Sequence, residues 1–198
     1  NSDGTGTPPG DFTTAGNVFY IRNNATPTIT NNWTVSGSGS IVVVGDGTNA
    51  CNFTIPSSYS FTGTVDVSNN GTLTIKNSTI PTLGTLSTGS TVVYGVSATL
   101  VAKTYYNLVI GCSGTSASTV SLTTGDITCN NNLTVDYGYT LNLGTAIMNV
   151  VETTSIDNNA TIVIPDGVTS TPSDYLQTKN LYLRDFDDGK GIIWSGRY

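Results

Sequence analysis

The sequence predicts an all-β fold: a right-handed parallel β-helix, or β-solenoid, of about six coils of roughly 33 residues each. Three observations predict it. A short strand–corner–strand template recurs with one linker length. The copies fall into two series that share a long period. The composition favours β-branched residues and turn formers over helix formers.

The template is clearest at Val65–Ile75. It reads apolar-x-apolar, then five polar or small residues, then apolar-x-apolar. Period-two alternation on both sides argues two short half-buried strands. Asn69-Asn70-Gly71 between them tolerates left-handed backbone, so the chain can turn. The same linker length joins Val35 to Ile41, Ile55 to Phe61, Val67 to Leu73, Leu86 to Val92, Val135 to Leu141 and Ile156 to Ile162. Ile21 to Pro27 is a weaker first copy.

The long period appears twice. Val35, Val67, Val101 and Val135 are spaced by 32, 34 and 34 residues. Ile21, Ile55, Leu86, Leu122 and Ile156 are spaced by 34, 31, 36 and 34. A propeller blade needs a longer repeat and hairpin signals. A parallel β-helix is preferred, with Val35, Val67, Val101 and Val135 stacked in one interior column. The right hand follows the general crossover preference.

Along the chain, residues 1–16 read as an extended lead-in or N-terminal cap, Gly/Thr/Pro-rich with Pro8-Pro9-Gly10. Residues 17–165 carry the repeats, with strands read at Asn17–Ile21, Trp33–Val35, Ile41–Val44, Asn52–Ile55 and Leu133–Val135. A protruding loop is expected at Gly111–Thr119. Residues 166–198 depart from the repeat. Asp174–Tyr198 holds eight of the chain's twenty charges, with three Tyr and Trp194. It reads as a C-terminal cap or a contact segment.

Composition bounds function. Of 198 residues, 37% are apolar and only 10% charged, with net charge −6 and no His. Such a surface lacks the basic footprint for nucleic acid or anionic lipid. No apolar run is long enough to span a membrane as a helix. The chain begins without Met or a secretory signal and reads as processed. Cys51, Cys112 and Cys129 are an odd set, and no two lie one period apart. A Cys112–Cys129 bridge and three small buried hydrophobes are the two readings.

Thr5–Phe12, Asn32–Gly39, Val43–Thr48, Gly63–Val67, Gly89–Tyr94 and Thr104–Leu108 resemble segments of secreted, repeat-rich surface proteins of Bacteroidota-type bacteria. The resemblance covers roughly residues 5–165. It implies an extracellular β-solenoid, often exported by the type IX route and acting as an adhesin or surface layer. The chain lacks a recognisable C-terminal sorting domain, which implies removal on maturation or another export route.

Catalytic and metal constellations are weak. β-Helical polysaccharide lyases and hydrolases cluster carboxylates on one face. Between Asn23 and Ser173 there are only seven acidic residues. Asp136 and Asp157 follow a core residue at a corner, where Asp usually bonds its own turn. Asp185–Gly191 resembles a calcium loop, but Gly189 stands where an oxygen ligand is needed. Seven Asn-x-Ser/Thr sites, at Asn24, Asn32, Asn52, Asn70, Asn77, Asn132 and Asn159, read as corner Asn and strand Thr forming ladders between coils. Thr28-Ile29-Thr30, Thr72-Leu73-Thr74 and the Thr85–Thr88 stretch do not share one phase, which weighs against a flat ice-binding face.

The expectation is a non-enzymatic extracellular or cell-surface structural or adhesive protein, without cofactor or metal. It associates with itself end to end through Tyr175, Tyr182, Phe186, Trp194, Arg197 and Tyr198, because aromatic residues mixed with Arg suit an interface. A ring or filament of copies follows from such a contact. The alternative is a carbohydrate-binding adhesin module with an exposed row from Tyr94, Tyr105, Tyr106, Tyr137 and Tyr139. A lyase-like enzyme or an ice-binding protein ranks below both.

Overall fold

Short strands broken by polar corners cannot each bury a face alone, so each strand lies on the strand one coil away. The computed structural model describes residues 11–113, 118–122, 125–144, 146–163 and 176–183. Among these the fold is all-β with no helix, and the parallel strands stack as a β-solenoid of about seven turns. The chain forms two compact units, Asn1–Ser90 and Thr91–Tyr198.

The first unit holds β1 (Val18–Ile21), β2 (Trp33–Thr34), β3 (Ile41–Val44), β4 (Cys51–Ile55), β5 (Phe61–Thr62), β6 (Thr64–Val67), β7 (Gly71–Ile75) and β8 (Thr82–Leu86). Strands β1, β3, β6 and β8 stack in that order as one face. β4 lies on β7, and β2 on β5. The inward columns Val42–Val65–Leu83 and Val44–Val67–Leu86 line the first face. Phe53 on Leu73 and Ile55 on Ile75 line the second. Phe12, Phe19, Trp33, Phe53 and Phe61 form a chain of tilted and edge-on rings, with neighbouring centroids 5.0–6.4 Å apart. Such pairs add about 0.5–1.5 kcal/mol each beyond area burial. Residues 1–10 lie outside the described residues, but 11–16 belong to the stack. The Ser36 amide donates to the Phe12 carbonyl, and the Gly16 amide to the Ser38 carbonyl.

The second unit holds β9 (Thr91–Tyr94), β10 (Ala98–Thr99), β11 (Thr104–Tyr105), β12 (Asn107–Ile110), β13 (Thr119–Ser121), β14 (Ile127–Cys129), β15 (Asn132–Val135), β16 (Thr140–Asn142), β17 (Met148–Ile156), β18 (Thr161–Val163) and β19 (Leu176–Leu183). One ladder runs β9–β12–β15–β17–β19. β11 and β14 extend the same sheet alongside the first half of β17. The short strands β10, β13, β16 and β18 form the other face. Two inward columns, Val92–Leu108–Leu133–Thr154 and Tyr94–Ile110–Val135–Ile156, are at most 2% exposed throughout. Thr154 is the polar exception, and its Oγ1 has no partner among the described residues. β19 lies past residue 165, so the stack continues into the segment expected to leave the repeat. Of the loop expected at Gly111–Thr119, residues 114–117 lie outside the described residues, and Thr119 opens β13.

The template survives as a corner. Both flanking residues are buried at Ile55/Phe61, Val67/Leu73, Val135/Leu141 and Ile156/Ile162. Left-handed backbone falls on Asn70 and Asn159 at two of these corners and on Asn23 and Asn24 at the Ile21/Pro27 corner, each with φ near 60°. Gly71 serves a different need from the one its position suggests. It opens β7 beneath the Val44 carbonyl, and an added Cβ would collide with that oxygen.

The coil length differs from the expected 33. Val18 pairs with Ile41, and Ile41 with Thr64, at 23 residues each. Cys51 to Gly71 is 20, and Leu133 to Thr154 is 21. The extremes are 16, for Thr91 with Asn107, and 28, for Met148 with Leu176. The column Val35–Val67–Val101–Val135 is therefore not formed. Val67 lies between Val44 and Leu86, and Val135 between Ile110 and Ile156. Val101 is half-exposed outside any strand. The reason is geometric. One corner motif serves at different corners, so a spacing near 33 is one coil plus part of the next. Val35 ends the side before β3, whereas Val67 ends the side before β7.

The Cys112–Cys129 bridge is not made. Cys129 is a free thiol buried between Tyr105 and Val150 of the neighbouring strands. Burial pushes that thiol up to about 12, which keeps it protonated and unreactive. Cys51 is likewise a buried free thiol.

The register yields a direct test. Leu133→Ala removes a fully buried column member and costs about 2–5 kcal/mol in urea unfolding. Val101→Ala, outside any column, costs under about 1 kcal/mol. Equal losses would contradict the 21- to 25-residue register at β15.

Candidate functional site

The candidate surfaces begin with the carboxylates, because acid–base chemistry needs them free and clustered. Asp46 sits at a corner and accepts from the amides of Asn23, Thr48 and Asn49 at 2.7–3.1 Å, and from Asn49 Nδ2 at 3.0 Å. The Asn49 bonds, backbone first, hold its carboxyl far below the usual range. Asp11 is lowered in the same way by Thr13 and Thr14. Asp66 accepts from the Thr85 amide at 2.8 Å, and Asp126 from the Ile147 amide at 3.3 Å. Carboxylates thus tie one coil to the next through backbone N–H groups, Asp46 from a corner, Asp66 from within β6 and Asp126 from just before β14. No group of three His, Cys, Asp or Glu able to hold a metal occurs among the described residues. The Asp185–Gly191 segment lies outside them.

The tyrosines divide. Tyr94, Tyr105 and Tyr139 are core residues at 0–2% exposure, so the exposed row expected from them is not formed. Period-two alternation explains this: Tyr94 continues the inward column of Ile110, and Tyr105 that of Cys129. The Tyr94 and Tyr105 hydroxyls meet at 3.1 Å, and Tyr105 donates to the Val101 carbonyl at 2.8 Å. Burial raises both phenols, so they stay protonated. Tyr106 is half-buried. Tyr137 alone of the five is well exposed, and its hydroxyl accepts from Asn159 Nδ2 at 3.1 Å.

The expected ladders of polar residues form in part. Thr119, Thr140 and Thr161 stack on successive strands. Thr54 lies over Thr74, whose hydroxyl donates to Asn52 at 3.0 Å. Asn131 donates to Asn107 at 2.9 Å.

The outer face of β15, β17 and β19 carries an open cleft of about 390 Å³. Asn132, Thr134, Thr153, Ser155, Tyr182 and Leu183 line it. The ladder sets this arrangement: Asn132 lies beside Thr153, and Thr134 beside Ser155, which lies beside Tyr182. The sequence singles out Tyr182 as a self-association residue, and Asn132 with Thr134 only as an Asn-x-Thr ladder site. The signal for the rest was the alternation Asn180-x-Tyr182 beyond residue 165, which matches the outward positions of β17. Of the other self-association residues, Tyr175, Phe186, Trp194, Arg197 and Tyr198 lie outside the described residues.

No protein-family model, curated protein or solved structure matches this chain.

Two measurements follow from these sites. The depressed Asp46 pKa means that its stabilisation is fully present above the unfolded value near 3.8 and is lost as pH falls through the folded value. Asp46→Asn therefore flattens the fall in melting temperature below about pH 4, while the wild-type chain keeps it. Tyr105→Phe removes the bond to Val101 and costs about 1–3 kcal/mol in chemical unfolding.

Proposed function

We propose that this protein is a non-enzymatic structural or adhesive β-solenoid of the cell exterior that adds copy to copy through unused strand edges. One observation carries the reading. The two core columns of the second unit continue into β19 as Leu181 and Leu183 and stop there. Their predecessors are at most 2% exposed, whereas Leu181 is 38% and Leu183 48% exposed. Uncovered column ends leave unrealised hydrophobic burial, worth about 1.5–3 kcal/mol for a fully buried side chain. Backbone pairing supports the same reading. β19 pairs with β17 on one side, and no strand pairs with its other side among the described residues. Among the described residues β1 in the first unit pairs only with β3, and exposes Val18 and Tyr20. Unused parallel edges are templates for a further parallel strand. A β19-to-β1 contact between copies joins two different surfaces, so it propagates as a filament or closes as a ring.

The engaged carboxylates support a non-catalytic role, since backbone amides occupy Asp46, Asp66 and Asp126. A surface rich in Thr, Ser and Asn with few charges suits an extracellular module, as does the resemblance to secreted surface proteins.

Light scattering and electron microscopy of the purified chain test the assembly. Mass grows with concentration for the wild-type chain. The double substitution Leu181→Lys, Leu183→Lys stops the growth and leaves the melting temperature within a few degrees, because both side chains are already exposed. Monomers at every concentration, in both proteins, would end the reading.

A further inference from the structure

We infer that the cleft on the outer face of β15, β17 and β19 binds a neutral saccharide. The inference stands apart from copy-to-copy assembly, because its polar contacts and Tyr182 use the outward positions of these strands and assembly uses their edge, Leu183 alone being shared between the two. Alternation separates the two on β19 itself: Tyr182 continues the outward row of Ser155, and Leu181 the inward column of Thr154.

Four observations carry it. The first is unspent hydrogen-bonding capacity. Among the described residues, none of the side chains of Asn132, Thr134, Thr153 and Ser155 has a protein hydrogen-bond partner. Several polar side chains elsewhere on this chain are used internally. Asn77 Nδ2 donates to three carbonyls at 3.0–3.5 Å, and the Asn69 and Asn70 amides donate to the Gly47 and Thr48 carbonyls. Asn107 donates to Thr91. Ser155 is the sharpest case: the residue is 6% exposed, lines the cleft and has no side-chain partner among the described residues, so its hydroxyl is open to the cleft and free to bond a ligand.

The second is the aromatic wall. Tyr182 stands 57% exposed beside these groups. A phenol face is electron-rich and attracts the weakly positive C–H face of a pyranose ring. The third is charge. Among the described residues no Asp, Glu, Lys or Arg lines the cleft, and the neighbouring Glu152 and Lys179 neutralise one another at 2.8 Å. The lining therefore suits a neutral polyol and gives no counter-ion for a uronate, sulfate or phosphate. The fourth is size. A volume near 390 Å³ lies in the range of small-ligand sites, about 300–1,000 Å³, and has room for a short saccharide. The cleft is open along the strands, as a chain-like ligand requires. Paired donors and acceptors from Asn132 with Thr153, and from Thr134 with Ser155, lie about 4.8 Å apart across the ladder. Neighbouring hydroxyls of one ligand can bridge them, directly or through water.

Titration of the full chain with neutral xylo-, cello- and manno-tetraose, followed by calorimetry and by two-dimensional NMR, tests the inference. Tetragalacturonate serves as the acidic comparison. At least one neutral tetraose binds saturably and shifts the signals of Thr134, Ser155 and Tyr182. Tyr182→Ala weakens that binding about tenfold. Tyr182→Phe keeps it, because the ring face rather than the hydroxyl makes the contact. Ser155→Ala weakens it several-fold by removing a cleft-facing hydroxyl. All three variants melt with the wild-type chain. Leu181→Lys, which disturbs assembly alone, leaves the binding intact. Failure of all three neutral sugars to bind would overturn the inference. So would an unchanged affinity in both Tyr182→Ala and Ser155→Ala, or equal affinity for tetragalacturonate.

Discussion

Parallel backbone pairing between successive coils is the constraint on which the rest of this structure depends. A strand inside each stack has one neighbour a coil before it and one a coil after it, and most of the pairing is in register. Once Leu108 lies over Leu133 and Leu133 over Thr154, the side-chain period of two carries every other residue inward. The core is then a set of columns. Column identity is decided by position along the strand, which is why tyrosines as polar as Tyr94 and Tyr105 are taken into the interior and satisfy each other there.

Corners are the second constraint, because the strands are only two to five residues long over most of the chain. A corner leaves backbone amides unpaired, and buried unpaired amides are costly. Asn and Asp meet both needs. Asn70 and Asn159 accept left-handed backbone, and Asp46 and Asp66 accept amides of the corner and the next coil. Asp11, Asp46, Asp66 and Asp126 are thereby spent on architecture. This division of labour leaves recognition to neutral groups on the outer faces.

Those faces differ in how much of their polarity is already used. Where Asn77 or Asn70 reaches neighbouring carbonyls, the surface is self-satisfied. Around Ser155 and Tyr182 it is not, and the adjacent strand β19 combines an open column end with an outward aromatic. One strand thus presents two chemistries on alternate residues, apolar for stacking and amphipathic for a ligand.

The sequence by itself determined the fold class, the strand type and the corner chemistry. Alternation around Val67 and Leu73, or Val135 and Leu141, is local, and local patterns are visible in one dimension. The same pattern placed β1, β3, β4, β6 and β15 close to where they lie. Only the tertiary structure decided which strand rests on which. A corner that looks the same on every side makes one coil and one coil plus a side equally periodic, so spacing near 33 concealed a stack near 21 to 23. Inside and outside were hidden for the tyrosines too, since Tyr94 ends β9 in an inward column while Tyr137 lies in the corner between β15 and β16, a difference that only the strand bounds reveal. The cleft was hidden because its residues lie on three strands brought together by register, and β19 belongs to the stack through pairing that its own composition does not announce.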